Sequence, residues 1–215
     1  DPRLLKLAQM YKPKKITPTK MQFVDIAGLA KGASKGSGLG NKFLSHIRQV
    51  DAVIQVVRCF TDESIMHVEG ELDPQADIET LNTELCLADL ETLEKRQERL
   101  QKMLKSGDKK VQAEAEVLSR LKAALEEITP ARQVLKSEEE LAAVRELNLL
   151  TLKPILYVAN INEDDVADPD ASTYVQAVKA YAVREEAEVI AISAKLEAEI
   201  AELSEEEAKV FLADL

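Results

Sequence analysis

Between Met21 and Arg48 the chain reads MQFVDIAGLAKGASKGSGLGNKFLSHIR, an order of residue types that leaves few ways to fold. An apolar, β-prone run from Met21 to Val24 delivers Asp25 to its end, and D-I-A-G follows at once. Five glycines then fall within thirteen residues (Gly28, Gly32, Gly36, Gly38 and Gly40). Helical spacing resumes with Phe43, Leu44 and Ile47, behind Asn41 as a good N-cap. A strand ending on an acid, a mobile glycine loop and a helix make the layout of a nucleotide-switch element. It is not a dinucleotide fingerprint. Gly36-x-Gly38-x-Gly40 lacks the G-x-G-x-x-G spacing, and no acidic residue ends a second strand at the usual distance.

The remaining apolar runs set the fold class. Lys20 to Asp25, Ala52 to Val57, Pro154 to Ala159 and Glu188 to Ile192 read as strands, the middle two as buried on both faces because their apolar runs are nearly continuous. Helical patterns lie at Arg3 to Tyr11, after the glycine loop, at Ser172 to Glu186 and behind Ser204. Strands separated by helices predict an α/β fold with a parallel sheet covered on both faces. One segment interrupts the alternation. From Asp77 to Ile128 there is no proline, one glycine, and a seam of Cys86, Leu90, Leu93, Gln97, Leu100 and Leu104 stepping by four and three. Ser106-Gly107-Asp108 breaks the seam, which resumes at Val111, Ala115, Leu118, Leu121, Leu125 and Ile128. Two long helices with so short a break predict an antiparallel coiled-coil hairpin, inserted between the second and third strands. Ser137 with Glu140 looks like a capping box opening a further helix to about Leu147.

Composition excludes several classes. A net charge of −11 argues against a wholesale nucleic-acid coat. Cys59 and Cys86 are too few for a disulfide framework, and no Cys/His cluster is present to hold zinc. No apolar run reaches the roughly 18 residues of a membrane span. No signal peptide is evident, so a reducing cytoplasm is the expected compartment. The chain opens on Asp1-Pro2 without a Met and is expected to be a fragment or a processed chain.

Three short motifs carry chemistry, each at an expected strand end. Asp25 to Gly28 fits D-x-x-G: the Asp can hold Mg²⁺ through water, and the Gly lets its N–H approach a terminal phosphate. Asn160-Ile161-Asn162-Glu163 offers an amide and a carboxylate to the edge of a nucleobase, although an Asn-rich loop after a strand is also plain turn chemistry. Ser193-Ala194-Lys195 could present backbone N–H groups to the same base. Each is weak alone. Their order is that of a P-loop switch NTPase, and three weak motifs in matching places are far less expected by chance than one. Of the two histidines, His46 reads as a surface or boundary residue on the helix. His67 lies in the loop S-I-M-H-V-E-G, where a neutral imidazole could orient water. The hairpin tip is basic (Lys102, Lys105, Lys109 and Lys110) in an acidic chain, which suits either a solvated turn or an RNA backbone.

With D-P-R-L near the start, F-V-D-I-A-G-L through G-L-G-N-K-F-L-S-H-I-R, V-V-R-C-F, N-T-E-L-C-L-A-D-L-E-T-L-E-K-R and L-T-L-K-P-I-L-Y-V-A-N-I-N-E-D, the chain resembles the YchF/Obg-like ATPases, translation-factor-class P-loop NTPases, over nearly all of its length. The resemblance implies a nucleotide-binding domain over 1–76 and 151–215, an inserted helical arm over 77–150, and a small C-terminal TGS domain beyond Leu215. No G-x-x-x-x-G-K-(S/T) occurs in the sequence, and by the family pattern it would precede Asp1, so the chain alone is expected to be inactive. The resemblance further implies ATP with Mg²⁺, hydrolysis, a cytoplasmic monomer and association with the large ribosomal subunit. It assigns adenine contacts to Asn160, Ile161 and Glu163, and a place near the γ-phosphate to His67. The base motif is Asn160-Ile161-Asn162-Glu163 rather than N-K-x-D, which weakens the match to guanine. Leu29 follows D-x-x-G where a Ras-like enzyme has a water-positioning Gln, and leucine cannot hydrogen-bond water. A GTPase of the wider class, or a non-enzymatic ribosome- or protein-binding module, is the alternative.

Overall fold

A computed structural model describes residues 2–26, 38–62, 72–103 and 108–214 of the chain. Three parallel strands form its centre: β1 (Val53–Arg58), β2 (Ile155–Asn160) and β3 (Glu188–Ile192), in the order β1-β2-β3. The register pairs Val57 with Ala159 and Ala159 with Ala191. Parallel neighbours need crossovers, and here they are very unequal. The β2-to-β3 connection is a single helix, α7 (Thr173–Arg184), whereas the β1-to-β2 connection carries the entire hairpin.

That hairpin is α3 (Pro74–Met103) and α4 (Lys109–Glu126). Asp73 Oδ1 accepts from the N–H groups of Gln75 and Ala76, each at 3.1 Å, which starts α3 ahead of the seam. Asp108 caps α4 by accepting from Lys110 N at 2.9 Å. Between the helices lie Leu93, Leu100, Val111, Leu118, Leu121 and Leu125, all buried. Arg96 forks onto Glu114 (2.6 and 3.0 Å), and Lys122 reaches Glu94 at 3.1 Å, so residues pair head to tail along the two helices. The chain returns through α5 (Ala131–Val134) and α6 (Glu138–Val144). Ser137 Oγ accepts from Glu140 N at 3.2 Å, the N-cap half of the capping box expected from the sequence.

One face of the sheet (Val57, Tyr157 and Ala159) packs on Ile78 of α3 and on Val175, Val178 and Ala182 of α7. The opposite face differs from the expectation of cover on both sides. β2 has Tyr157, Val158 and Ala159 buried in succession, as its central place dictates, but β1 alternates: Ile54 is 44% and Val56 63% exposed. Among the described residues β1 is an edge strand with helices on one side only.

A larger difference lies upstream. α1 (Pro2–Tyr11) forms as expected, and α2 (Gly38–Gln49) forms but starts at Gly38, so Asn41 lies inside the helix and is not its N-cap; 12–26 hold neither helix nor strand, so Lys20 to Asp25 is not the strand the sequence predicts. Phe23 is 72% exposed. A strand exists only through a neighbour that pairs its N–H and C=O groups, and none of the three described strands pairs with this run. Two short helices close the chain: α8 (Ala194–Glu202), which the sequence reading does not anticipate, and α9 (Glu205–Asp214). Among the described residues no helix is long and apolar enough to cross a membrane.

Candidate functional site

The expected base-reading residues meet at the carboxyl end of the sheet. Asn160 is the last residue of β2, in register with Arg58 and Ile192. Its carbonyl accepts from Cys59 N at 2.8 Å, and the next N–H, of Ile161, donates to Ile192 O at 2.9 Å, so both neighbouring strands hold this turn. The Asn160 side chain then crosses to the segment after β3, where Oδ1 accepts from Ala194 N at 2.9 Å. A backbone N–H can only donate, so the atom facing it must be the amide oxygen. The amide nitrogen is thereby turned away, and among the described residues it donates to no protein group.

Ser193-Ala194-Lys195 is more than the end of a strand. Ser193, 3% exposed, is the N-cap of α8, its Oγ accepting from Leu196 N at 3.4 Å. Two groups of this run therefore have partners within the protein. The Ser193 side chain serves its own helix, and the Ala194 N–H is given to Asn160 rather than left for a base. Lys195, on the first turn of α8, sits 2.8 Å from Glu163 Oε1. The contact is an ion pair rather than an aligned hydrogen bond, since that oxygen is shielded from solvent and has no hydrogen-bond partner. The pairing raises the Lys195 ammonium above its ordinary value.

Beside this clamp is a cavity of about 300 Å³ lined by Cys59, Phe60, Asn162, Asp165, Ser172 and Tyr174. Arg58 shapes its wall. Its guanidinium lies 4.8 Å from the centre of the Phe60 ring, with Nε donating to Phe60 O at 3.1 Å. Burial, and secondarily the charge of Asp77, pushes the Cys59 thiol up to about 12, so it stays protonated at neutral pH and is no nucleophile. A larger cavity, about 480 Å³, opens at the other end of the sheet beside Asp51, Lys153 and Pro154, away from every motif residue.

The residues expected to sense phosphate are not brought together in the same way among the described residues. Asp25 is exposed in the segment without helix or strand, and Gly28, Leu29 and His67 lie outside the described residues. Among the described residues no group of His, Cys, Asp and Glu side chains could hold a metal ion. One exposed carboxylate is not a Mg²⁺ site, so the described residues do not form the centre expected at Asp25. Lys102, Lys109 and Lys110 are exposed at the facing ends of α3 and α4; Lys105 lies outside the described residues. The sequence reading does not single out Arg58 or Phe60, nor Lys195 as the partner of Glu163. Only the run V-V-R-C-F, ending a strand beside the Asn motif, hints at the first two.

A sequence model of the 50S ribosome-binding GTPases matches residues 7–161, most of the chain and all of β1, the hairpin and β2. The chain belongs to this family. Its curated relatives bear out the YchF/Obg-like resemblance. The Ribosome-binding ATPase YchF of Bacillus subtilis is 56% identical over all 215 residues, and that of Escherichia coli O157:H7 is 48% identical over the same span. The structure of the Schizosaccharomyces pombe YchF GTPase superposes with a TM-score of 0.81 at 35% identity over the whole chain. The chain spans 59% of the Bacillus protein and 58% of the other two. The family has a P-loop NTPase fold, which is why the parallel sheet carries its Asn motif at the carboxyl ends of the strands.

Proposed function

We propose that this chain is the switch-bearing and base-reading part of a P-loop protein that binds and hydrolyses ATP in association with the ribosome. The Asn160 clamp carries the reading. An amide fixed through its oxygen to Ala194 N presents its nitrogen as a donor, which suits purine N7, beside a cavity whose lining mixes aromatic rings (Phe60 and Tyr174) with polar side chains. The names of the relatives support hydrolysis and the ribosome; the family description supports the 50S subunit as partner. In this reading 1–76 and 151–215 make up the nucleotide-binding domain and 77–150 an arm. Mg²⁺ accompanies the phosphates, and the intact protein is a cytoplasmic monomer. The chain alone has no G-x-x-x-x-G-K-(S/T) and binds ATP weakly, because most phosphate contacts in this class come from that loop.

The test is competition between ATP and GTP on the intact protein, followed by turnover with and without ribosomes. Preferential ATP binding and ribosome-stimulated hydrolysis are expected. The second reading, a GTPase, is favoured by the family description and by the name of the yeast relative, a YchF GTPase; preferential GTP binding would establish it. Binding without turnover, with or without ribosomes, would leave a non-enzymatic module.

Two finer assignments have their own tests. With Leu29 unable to orient water, His67 is the proposed water-handling group. His67→Ala should cut turnover roughly a hundredfold or more while ATP affinity stays near wild type; unchanged turnover removes His67 from the reaction. Lys102, Lys105, Lys109 and Lys110 are the proposed RNA contact. Reversing all four to Glu should weaken ribosome co-sedimentation most strongly at low salt; unaffected pelleting places the contact elsewhere.

A further inference from the structure

The ion pair between Lys195 and Glu163 bears on which purine the site accepts, an inference that rests on the nucleotide reading above. A donor on purine N7, the part available to the Asn160 amide nitrogen, does not tell adenine from guanine, since both carry that acceptor. The difference lies on the far edge of the ring. Guanine has donors at N1 and N2 that a carboxylate can accept side by side, and adenine has neither.

Glu163 lies at this end of the sheet, three residues beyond Asn160 on the same turn and where N-K-x-D has its Asp, with Asp164 and Asp165 following it. It is already engaged, with the Lys195 ammonium 2.8 Å from its Oε1. The engagement follows from the fold. The Asn160–Ala194 hydrogen bond ties the start of α8 to the end of β2, and the same tie brings the next residue, Lys195, to the turn that holds Glu163. We propose that Lys195 is a specificity-determining residue: by pairing with Glu163 it withholds that carboxylate from guanine and tilts the site towards adenine. A guanine base must displace the ammonium to use Glu163, whereas adenine has no donor there and loses nothing. The pair is exposed, 73% at Lys195 and 39% at Glu163, so its effect is modest, up to about fivefold in an equilibrium constant.

The test is the ratio of GTP to ATP affinity in the intact protein, by displacement of a fluorescent nucleotide, for wild type, Lys195→Ala, Lys195→Arg, Glu163→Gln and the double variant Glu163→Gln/Lys195→Ala. At low salt Lys195→Ala should move the ratio towards GTP by about three- to fivefold. Lys195→Arg should hold it near wild type, and the double variant should match Glu163→Gln alone. Raising ionic strength should move the wild-type ratio the same way, because salt screens the pair while its effect on the phosphates is common to both nucleotides; the ratio for Lys195→Ala should stay flat. An unchanged ratio in Lys195→Ala, or an equal shift in the Glu163→Gln background, overturns the proposal and leaves the nucleotide site standing. A wild type that binds neither nucleotide overturns both.

Discussion

Asp89 shows how much a single buried residue can hold together. It lies on α3, fully buried, and accepts from Leu150 N at 2.9 Å, Thr151 N at 2.8 Å and Thr151 Oγ1 at 2.7 Å, about sixty residues away. Thr151 Oγ1 in turn accepts from Ala131 N at 3.1 Å, so one carboxyl group ties the outgoing helix to both parts of the returning chain. Burial opposes its charge more than these donors favour it, and the group sits above its ordinary value of 3.8. A carboxyl raised by folding holds its proton more tightly in the fold than in the unfolded chain. Its contribution is therefore complete below about 3.8 and is lost as pH rises through the folded value. Asp89→Asn should cost about 1–3 kcal/mol, because the amide turns an N–H₂ towards backbone donors that need an acceptor. In urea unfolding at a series of pH values, the gap between wild type and variant should narrow as pH rises from about 4. A gap that widens would mean that the donors outweigh burial. None of this is legible in the sequence. In A-D-L-E-T-L the Asp reads as one more charge beside an apolar seam, and its partners are far off along the chain.

At the scale of elements, the sequence anticipates whatever carries its own periodicity. The seam predicts the hairpin, and Leu93, Leu100, Leu118, Leu121 and Leu125 are buried between its helices. Observed strands begin within one residue of the expected runs, because each apolar run has abrupt ends, even though only β2 is buried on both faces. Elements defined by a neighbour are not legible in this way. Met21 to Val24 has the composition of a strand and no partner among the described strands, while α8 starts so soon after β3 that its first residues read as the strand's tail. The one available signal is Ser193 acting as an N-cap. The motifs proposed to read a base are legible by type and order; that Ala194 serves Asn160, and Lys195 meets Glu163, depends on how two turns approach. The hairpin itself supports a graded prediction. Leu118→Ala empties a fully buried position between α3 and α4 and should cost about 2–5 kcal/mol. Asp108→Ala removes one cap bond at the exposed start of α4 and should cost about 1 kcal/mol. Hydrogen exchange should show the cap variant fraying only the first turn of α4 and the core variant weakening both helices; equal costs would mean the seam is not what holds the hairpin.

For the molecule as a whole, the uncovered sheet face dominates the expected behaviour of the 215-residue chain in isolation. The register places Ile54 beside Leu156, and Val56 beside Val158 and Ile190, so the exposed residues form one apolar surface and not scattered points. α1 adds Leu5, Leu7 and Met10, each at least half exposed, and buries nothing. Contiguous apolar surface in water favours association, and β1 and β3 also offer free strand edges among the described residues. The net charge of −11 opposes it by repulsion. Salt weakens the repulsion and leaves the apolar attraction intact. The isolated chain should therefore self-associate increasingly as ionic strength rises, and should bind a dye that reports apolar surface. Val56→Thr with Ile190→Thr keeps the β-branched shape that suits a strand while adding hydroxyls that stay solvated. The pair should lower both dye binding and association at high salt, with the unfolding midpoint nearly unchanged, because neither wild-type side chain loses buried contacts on the open side. Sedimentation at low and high salt checks this. A chain that stays monodisperse at high salt without binding the dye would show that the apolar face does not govern its association.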